Sequence, residues 1–333
     1  KVKTIKDLCK AFKEWADEYY PPSGKEPQNI RYALKPLEDM YGHIQAMDIT
    51  VYEIKQVRKK MISSRKLCRR VINRRIAIIK RMFRWAKEEQ YVTAEAFYEV
   101  YSLKGIPQTR YGTYDHGETE CVNFDHVEAT LKFTTQVVAD MVQLQMLTGM
   151  RPAELCQLKP RMIQRAQKGP WQYEPEKHKN KWRGKGYERI VYFGKQAQAI
   201  LAPYLLRDQD EYCFKPAESE RQRLQALRDQ RKTPRYGRDK ERPVKVRGDL
   251  KPCYTTHSYR QAIDYALNRA RKAGLDIPHW YPYQIRHTKA TMVKDTDGLE
   301  AASALLGHHN LDTTLIYAKL KKEKASQMAV KYG

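Results

Sequence analysis

The residues best suited to chemistry lie in three short stretches of the second half of the chain. Leu147-Thr-Gly-Met-Arg151-Pro-Ala-Glu-Leu155 sets an arginine between a glycine and a proline. Gly149 suits a helix stop and Pro152 the first turn of the next helix, so Arg151 is expected in a tight turn at a helix N-terminus. A guanidinium held there, a planar two-pronged donor beside free helix N–H groups, is a good phosphate clamp. Read alone, Arg151 is better explained as the partner of Glu154 in a surface ion pair, which is a common feature of little energetic weight. Tyr283-Gln-Ile-Arg286-His287-Thr-Lys-Ala-Thr291 supplies a second guanidinium where a helix is expected to open after Pro282. It can take the other non-bridging oxygen of the same phosphate. Leu306-Gly-His308-His309-Asn-Leu-Asp312-Thr-Thr-Leu-Ile-Tyr317 puts His308 just past a glycine helix stop and Tyr317 on the helix that follows. A phenol, with a pKa near ~10, attacks phosphorus only if its proton is taken or its anion is stabilised by cations. His308 and the two arginines are of the right type for that, although a lone tyrosine on an apolar helix face is more often core.

A phosphate target agrees with the charge of the chain. Lys and Arg number 63 against 39 Asp and Glu, a formal net charge of +24 over 333 residues, which repels itself unless a polyanion is near. Membrane surface competes with nucleic acid for that role. No run approaches the ~18 uninterrupted apolar residues of a spanning helix, and the basic helices carry only ordinary apolar faces. A soluble, cytoplasmic, nucleoid-associated protein with no membrane partner is therefore expected. Cys9, Cys68, Cys121, Cys156, Cys213 and Cys253 are scattered without a Cys-x-x-Cys pair, which argues for a reducing compartment and against zinc. No basic leader with a short apolar stretch and a small-residue cleavage site opens the chain, so secretion is unsupported. The chain opens on Lys1 rather than methionine, so a further segment can precede it.

The elements that must position these residues can be read from periodicity. Residues 1–104 read as a small all-α domain. Ile5, Leu8, Phe12, Trp15 and Ala16 stripe a helix from Thr4 to about Tyr19, and Thr50 with Glu53 is a capping-box start for a helix to about Met61. The next helix, about Leu67 to Glu88, carries Val71, Ile78, Ile79, Met82, Phe83 and Ala86 as its apolar stripe. Arg69, Arg70, Arg74, Arg75, Lys80, Arg81 and Arg84 crowd the rest with no acid before Glu88. That is too much like charge for a plain solvated face, and these side chains are expected to meet a polyanion, nucleic acid first, mostly at phosphates. Residues 105–121, punctuated by Gly105, Pro107, Gly112 and Gly117, read as a linker. The second domain, 122–333, begins with a helix from about Phe124 and an apolar helix ending at Gly149. A hairpin follows: Trp171–Lys179 and Glu188–Phe193 alternate, with Asn180, Gly184 and Gly186 between them. Residues 215–251 form a polar, Arg-rich insertion that is helical in its first half. Helices are expected again over Ser258–Ala273, His287 to about Lys294, Gly298–Leu306 and Asp312 to about Val330.

The three boxes, in this order and spacing, resemble the signature boxes of the tyrosine recombinase (phage integrase) family. The resemblance covers essentially the whole chain, since residues 1–104 are similar to the family's helical core-binding domain. It implies a mainly α, α+β catalytic domain with a small antiparallel sheet, and two domains closing as a clamp on double-stranded DNA. It further implies that Arg151 and Arg286 hold the scissile phosphate, His308 assists by hydrogen bonding, and Tyr317 attacks to give a 3′-phosphotyrosine and a free 5′-hydroxyl. Such chemistry needs charge stabilisation more than covalent help. No cofactor or metal is expected, because no carboxylate cluster accompanies the boxes and the covalent intermediate conserves the phosphodiester energy.

The family's general acid is a lysine on the hairpin, and two candidates stand here. Lys179 ends the first strand in His-Lys-Asn and is favoured because a strand end is held rigidly; Lys185, in Gly-Lys-Gly, resembles the short-turn members. Lys181 and Arg183 are then turn residues near DNA. The chain departs from the family at Tyr283, where a histidine is usual three residues before the arginine. A phenol still donates a hydrogen bond to a phosphate oxygen but is a poor base near neutral pH. His287 is assigned a packing role. The resemblance implies site-specific recombination, for integration or excision of a mobile element. The alternatives are a DNA-binding relative weakened in catalysis and a type IB topoisomerase-like strand relaxer. The tail, Lys319–Gly333, is expected to contact a neighbouring subunit in a homo-tetramer on paired DNA sites.

Overall fold

A computed structural model of the chain describes residues 3–21, 24–117, 119–176, 189–233, 243–246 and 248–307. The chain divides into two units, Lys1–Glu118 and Thr119–Gly333.

The first unit is built on five helices: α1 (Ile5–Tyr19), α2 (Glu26–Tyr41), α3 (Val51–Ser63), α4 (Arg69–Glu88) and α5 (Ala94–Ser102). Capping boxes at Thr4 with Asp7 and at Thr50 with Glu53 start α1 and α3, each cap contributing ~1 kcal/mol by satisfying end N–H groups. Helix α4 packs against all four others. Its buried stripe is Ile72, Ile76, Ile79, Phe83 and Ala86, with Ile78, Met82 and Trp85 beside it. Val71, expected in that stripe, is 37% exposed. It lies one residue, about 100°, away from the row that Ile72 and Ile76 start. Two further elements escape the sequence reading: α2, which carries Pro36 inside it, and α5.

The run expected as a linker is tied to α4. Asn73 Nδ2 donates to the Ile106 carbonyl (3.0 Å) and its Oδ1 accepts from the Ile106 N–H (2.8 Å). Arg69 donates to the same carbonyl and pairs with Asp115 at 2.6 Å. The boundary between the units falls at residues 118/119.

The second unit comprises α6 (Phe124–Leu131), α7 (Gln136–Thr148), α8 (Pro152–Cys156), a small sheet, α9 (Lys195–Leu201), α10 (Pro216–Asp229), α11 (Thr256–Lys272) and α12 (Pro282–Leu306). The sheet is antiparallel in the order β1 (Ile163–Gln164), β2 (Trp171–Tyr173), β3 (Val191–Phe193). Tyr173 faces Val191 across the register and Trp171 faces Phe193, and Tyr173, Val191 and Phe193 point into the core. Strand β1 is too short to leave a period in the sequence. The described strands are shorter than expected, and residues 177–188 lie outside the described residues. Helix α10 occupies the first half of the basic stretch 215–251.

The two helices expected around Gly298 form one run, α12, that begins at Pro282 and breaks at Gly298 (φ 92°, ψ 174°). Arg286 thus sits in the second turn rather than at the helix opening. The helix expected at Asp312 to Val330 lies outside the described residues. Among the described residues no helix is long and apolar enough to cross a membrane.

Candidate active site and DNA-binding face

The site is assembled where the end of α7, the start of α8 and the end of α12 meet. Gly149 adopts the left-handed conformation (φ 64°) that stops α7. A Cβ there would lie 3.3 Å from Lys289 Cγ and 3.4 Å from Leu306 Cδ2, a tight fit, and the left-handed backbone favours glycine. One turn along α12 from its start, Arg286 is 1% exposed. Its guanidinium donates to the Gly149 carbonyl (2.8 Å) and the Leu306 carbonyl (3.0 Å). These are terminal carbonyls of α7 and α12, where a cation is favoured by the helix dipoles. A single guanidinium therefore orders the turn that leads to Arg151 and the helix end that precedes His308.

Buried polar side chains complete that frame. Gln145, on α7, donates from Nε2 to the carbonyls of Met150 (3.1 Å) and Pro282 (3.0 Å), and its Oε1 accepts from the Tyr259 hydroxyl at 3.2 Å. Burial pushes the Tyr259 phenol well up, so it stays a neutral donor. The Thr288 hydroxyl, one turn after Gln284, accepts from the Val122 N–H at 2.8 Å and fastens the start of the unit to α12.

Arg151 is the N-cap residue of α8 (φ −71°, ψ 143°), as its flanking Gly and Pro imply. Its Nη1 donates to Glu154 Oε1 (2.7 Å) and its N–H to Oε2 (2.9 Å). The surface-pair reading is corrected by burial: Glu154 is 2% exposed and is shared with Arg189, itself 3% exposed. Arg189 Nη2 and Nε each approach a Glu154 oxygen at 3.3 Å. Burial raises the Glu154 carboxyl, but the charges of Arg189 and Arg151 and the Arg151 N–H outweigh it and hold the pKa down to about 2. Arg189 also donates to the Leu305 carbonyl at 3.4 Å, and a Cβ on Gly307 (φ 61°) would come within 2.5 Å of its Nη1. Sequence reading misses Arg189 and Gln145; the available signals are an arginine within a β-rich run and an amide within the most apolar helix.

Tyr283 is 43% exposed, its ring 5.0 Å from that of His287 and at 65° to it. His287 is buried, in keeping with a packing role. Burial, and then the Arg286 charge, lower its pKa from the usual range, which favours the neutral ring. Of the expected catalytic residues, Arg151, Tyr283 and Arg286 are described. Lys179, His308 and Tyr317 lie outside the described residues, as do Lys181, Lys185 and Arg183.

On the first unit the basic side chains of α4 differ in what they touch. Arg70 is exposed, and Arg75 is half-buried beside Tyr32. Lys80 donates to the carbonyls of Tyr101 (2.9 Å) and Leu103, capping the end of α5. Arg84 donates to the Tyr101 hydroxyl at 3.1 Å and stacks over its ring. Arg74 and Arg81 both pair with Glu26, at 3.2 and 2.8 Å. Lys80 is thus committed to the fold, while Arg70 and Arg84 keep exposed heads.

Residues 121–324 match the model of the phage integrase family. Tyrosine recombinase XerC of Bacillus pumilus is 24% identical over 260 residues, 77% of this chain and 72% of that protein. XerC of Leptospira interrogans is 33% identical over 147 residues, 44% of this chain and 37% of that protein. The fold is similar to the Tn1549 transposon integrase in complex with circular intermediate DNA (TM-score 0.66, 14% identity, 98% of this chain and 99% of that one). It is also similar to a lambda integrase dimer bound to a COC′ core site (TM-score 0.65, 13% identity, 96% of each chain). With the family model spanning both guanidinium boxes and the tyrosine box, the chain belongs to the phage integrase family of tyrosine recombinases, enzymes that cleave and rejoin DNA.

Proposed function

We propose that this enzyme recombines DNA at specific sites by holding the scissile phosphate on Arg151 and Arg286 while Tyr317 attacks phosphorus. The observation that carries the reading is the buried Arg286 bridging the Gly149 and Leu306 carbonyls, because it ties one guanidinium to the turn before Arg151 and to the helix end before the tyrosine box. Preorganised guanidiniums stabilise charge on the equatorial oxygens without a reorganisation cost during reaction. His308 assists by hydrogen bonding, Lys179 protonates the leaving 5′-oxygen with Lys185 as the other candidate, and Tyr283 donates to the phosphate. The α4 face, with Lys181 and Arg183 from the hairpin, binds duplex phosphates.

Solved relatives support the partners. The Tn1549 integrase is seen with circular intermediate DNA, and a lambda integrase tetramer is seen on a Holliday junction. By analogy this chain acts in the nucleoid as a homo-tetramer on paired sites, with the tail Lys319–Gly333 contacting a neighbour, to integrate or excise a mobile element. The test is a nicked suicide duplex. Wild type should give an SDS-stable protein–DNA adduct and Tyr317→Phe none, with binding within a few-fold, since only the attacking oxygen is lost. An adduct in the Phe variant overturns the assignment, and relaxation without exchange between two duplexes indicates a topoisomerase.

A further inference from the structure

Helix α4 is rich in cations, and two of them, Arg74 and Arg81, share one acid. The carboxylate of Glu26, in the first turn of α2, is shared out oxygen by oxygen. Oε1 accepts from Arg81 (2.8 Å), and Oε2 from Arg74 (3.2 Å) and Asn29 (3.2 Å). Burial raises its pKa, but the Arg81 and Asn29 hydrogen bonds and the two arginine charges bring it below the usual carboxylate range. An anion receiving donors from two guanidiniums is the arrangement that a DNA phosphate makes with the same side chains. Arg81 is further held over the Tyr20 ring, and its Nε is buried without a partner. Arg70, one turn before Arg74 on the same helix, is exposed and stands outside this cluster.

We propose that Glu26 is an internal stand-in for a DNA phosphate that keeps Arg74 and Arg81 from adding sequence-independent affinity, and so sets how well the enzyme tells its site from other DNA. The inference rests on the reading that the α4 face binds DNA. Contacts to phosphate carry no sequence information, so two further ones would strengthen binding to every duplex alike. While Glu26 holds them, DNA must displace a carboxylate to gain either guanidinium. Base-dependent contacts then make up a larger share of the total. The acid that performs this service lies 48 residues before Arg74, which is why the basic helix looks unbalanced in the sequence.

The experiment measures binding of the full chain to a labelled duplex of arbitrary sequence, by fluorescence anisotropy between about 50 and about 200 mM salt. Glu26→Gln should bind more tightly and steepen the salt dependence by ~1.8, or ~0.9 for each released guanidinium. Over that fourfold salt range the advantage of the variant should therefore shrink by about twelvefold. In an Arg74→Ala, Arg81→Ala background the same change should have no effect, as a double-mutant cycle requires. A gain that persists there, or none in the single variant, overturns the proposal. Arg74→Ala tests the point without touching Glu26: it should flatten the slope far less than Arg70→Ala, and an equal effect counts against the proposal. If Arg70→Ala and Arg84→Ala, alone and together, leave the slope unchanged, the α4 face does not bind DNA, and the underlying reading fails with it.

Discussion

Replacing Glu154 by Gln should uncouple the candidate clamp from the fold. The carboxylate is buried, and its pKa of about 2 lies below the ordinary value of 4.5. The difference is worth about 3 kcal/mol at neutral pH. The sign follows from the lowered pKa: this stability is present above the unfolded-state value, near 4.5, and is lost as pH falls toward 2. Glu154→Gln leaves Arg189 buried beside a neutral amide, and breaking one side of a buried pair costs about 3–5 kcal/mol. For a unit of this size the melting temperature should fall by roughly 6–20 °C, at about 2–4 °C per kcal/mol. Arg151 also loses its tether, so single-turnover cleavage of a nicked duplex should slow by about ten- to a hundredfold, with binding nearly unchanged. The double variant Glu154→Leu, Arg189→Met separates the two effects, because apolar replacement of both partners restores much of the stability but cannot orient Arg151. A Glu154→Gln protein that melts and cleaves like wild type would refute the reasoning, and so would full cleavage in the double variant.

Arg151→Ala and Arg286→Ala should each cost orders of magnitude in cleavage, and Arg286→Ala should also lower the melting temperature because two helix-end carbonyls lose their donor; unchanged rates would show the boxes misassigned. Lys179→Ala should slow cleavage strongly and be rescued by a substrate whose leaving oxygen is sulfur, since a thiolate leaves without protonation; rescue of Lys185→Ala instead transfers the role. Tyr283→Phe should cleave about ten- to a hundredfold more slowly in single turnover, the scale of one lost hydrogen bond to a charged group, with Tyr283→His active; a Phe variant at full rate removes Tyr283 from the site. Gly307→Ala should lower both cleavage and melting temperature, because its Cβ would meet the Arg189 guanidinium, and a neutral substitution there would separate that contact from function.

What is legible in the sequence is local. Gly149 and Pro152 announce the turn at Arg151, and the Thr50–Glu53 box announces α3, because each depends on residues within one helical turn. The break at Gly298 is visible for the same reason. What stays hidden depends on distant partners. Glu154 looks like half of a surface pair because its burial comes with Arg189, 35 residues on. Asn73 gives no sign that it holds Ile106, 33 residues away. Arg286 looks like the opening of a helix because the first turn, Pro282 to Ile285, has too few residues to show a period. Lys80 reads as one more cation of a DNA face until the end of α5 is placed over it.

The break in α12 has a geometric consequence. Twenty residues separate Arg286 from Leu306, and along an unbroken helix they would stand ~30 Å apart at about 1.5 Å per residue. No side chain spans that distance, yet the Arg286 guanidinium donates to the Leu306 carbonyl at 3.0 Å. The chain must therefore double back at Gly298, whose φ of 92° with ψ of 174° is a conformation essentially reserved for glycine. Gly298 has nothing within 4 Å of the place a Cβ would occupy, so a side chain there would be resisted by backbone torsion alone. One residue without a side chain, touching none of the boxes, closes the loop through which the end of α12 answers to Arg286.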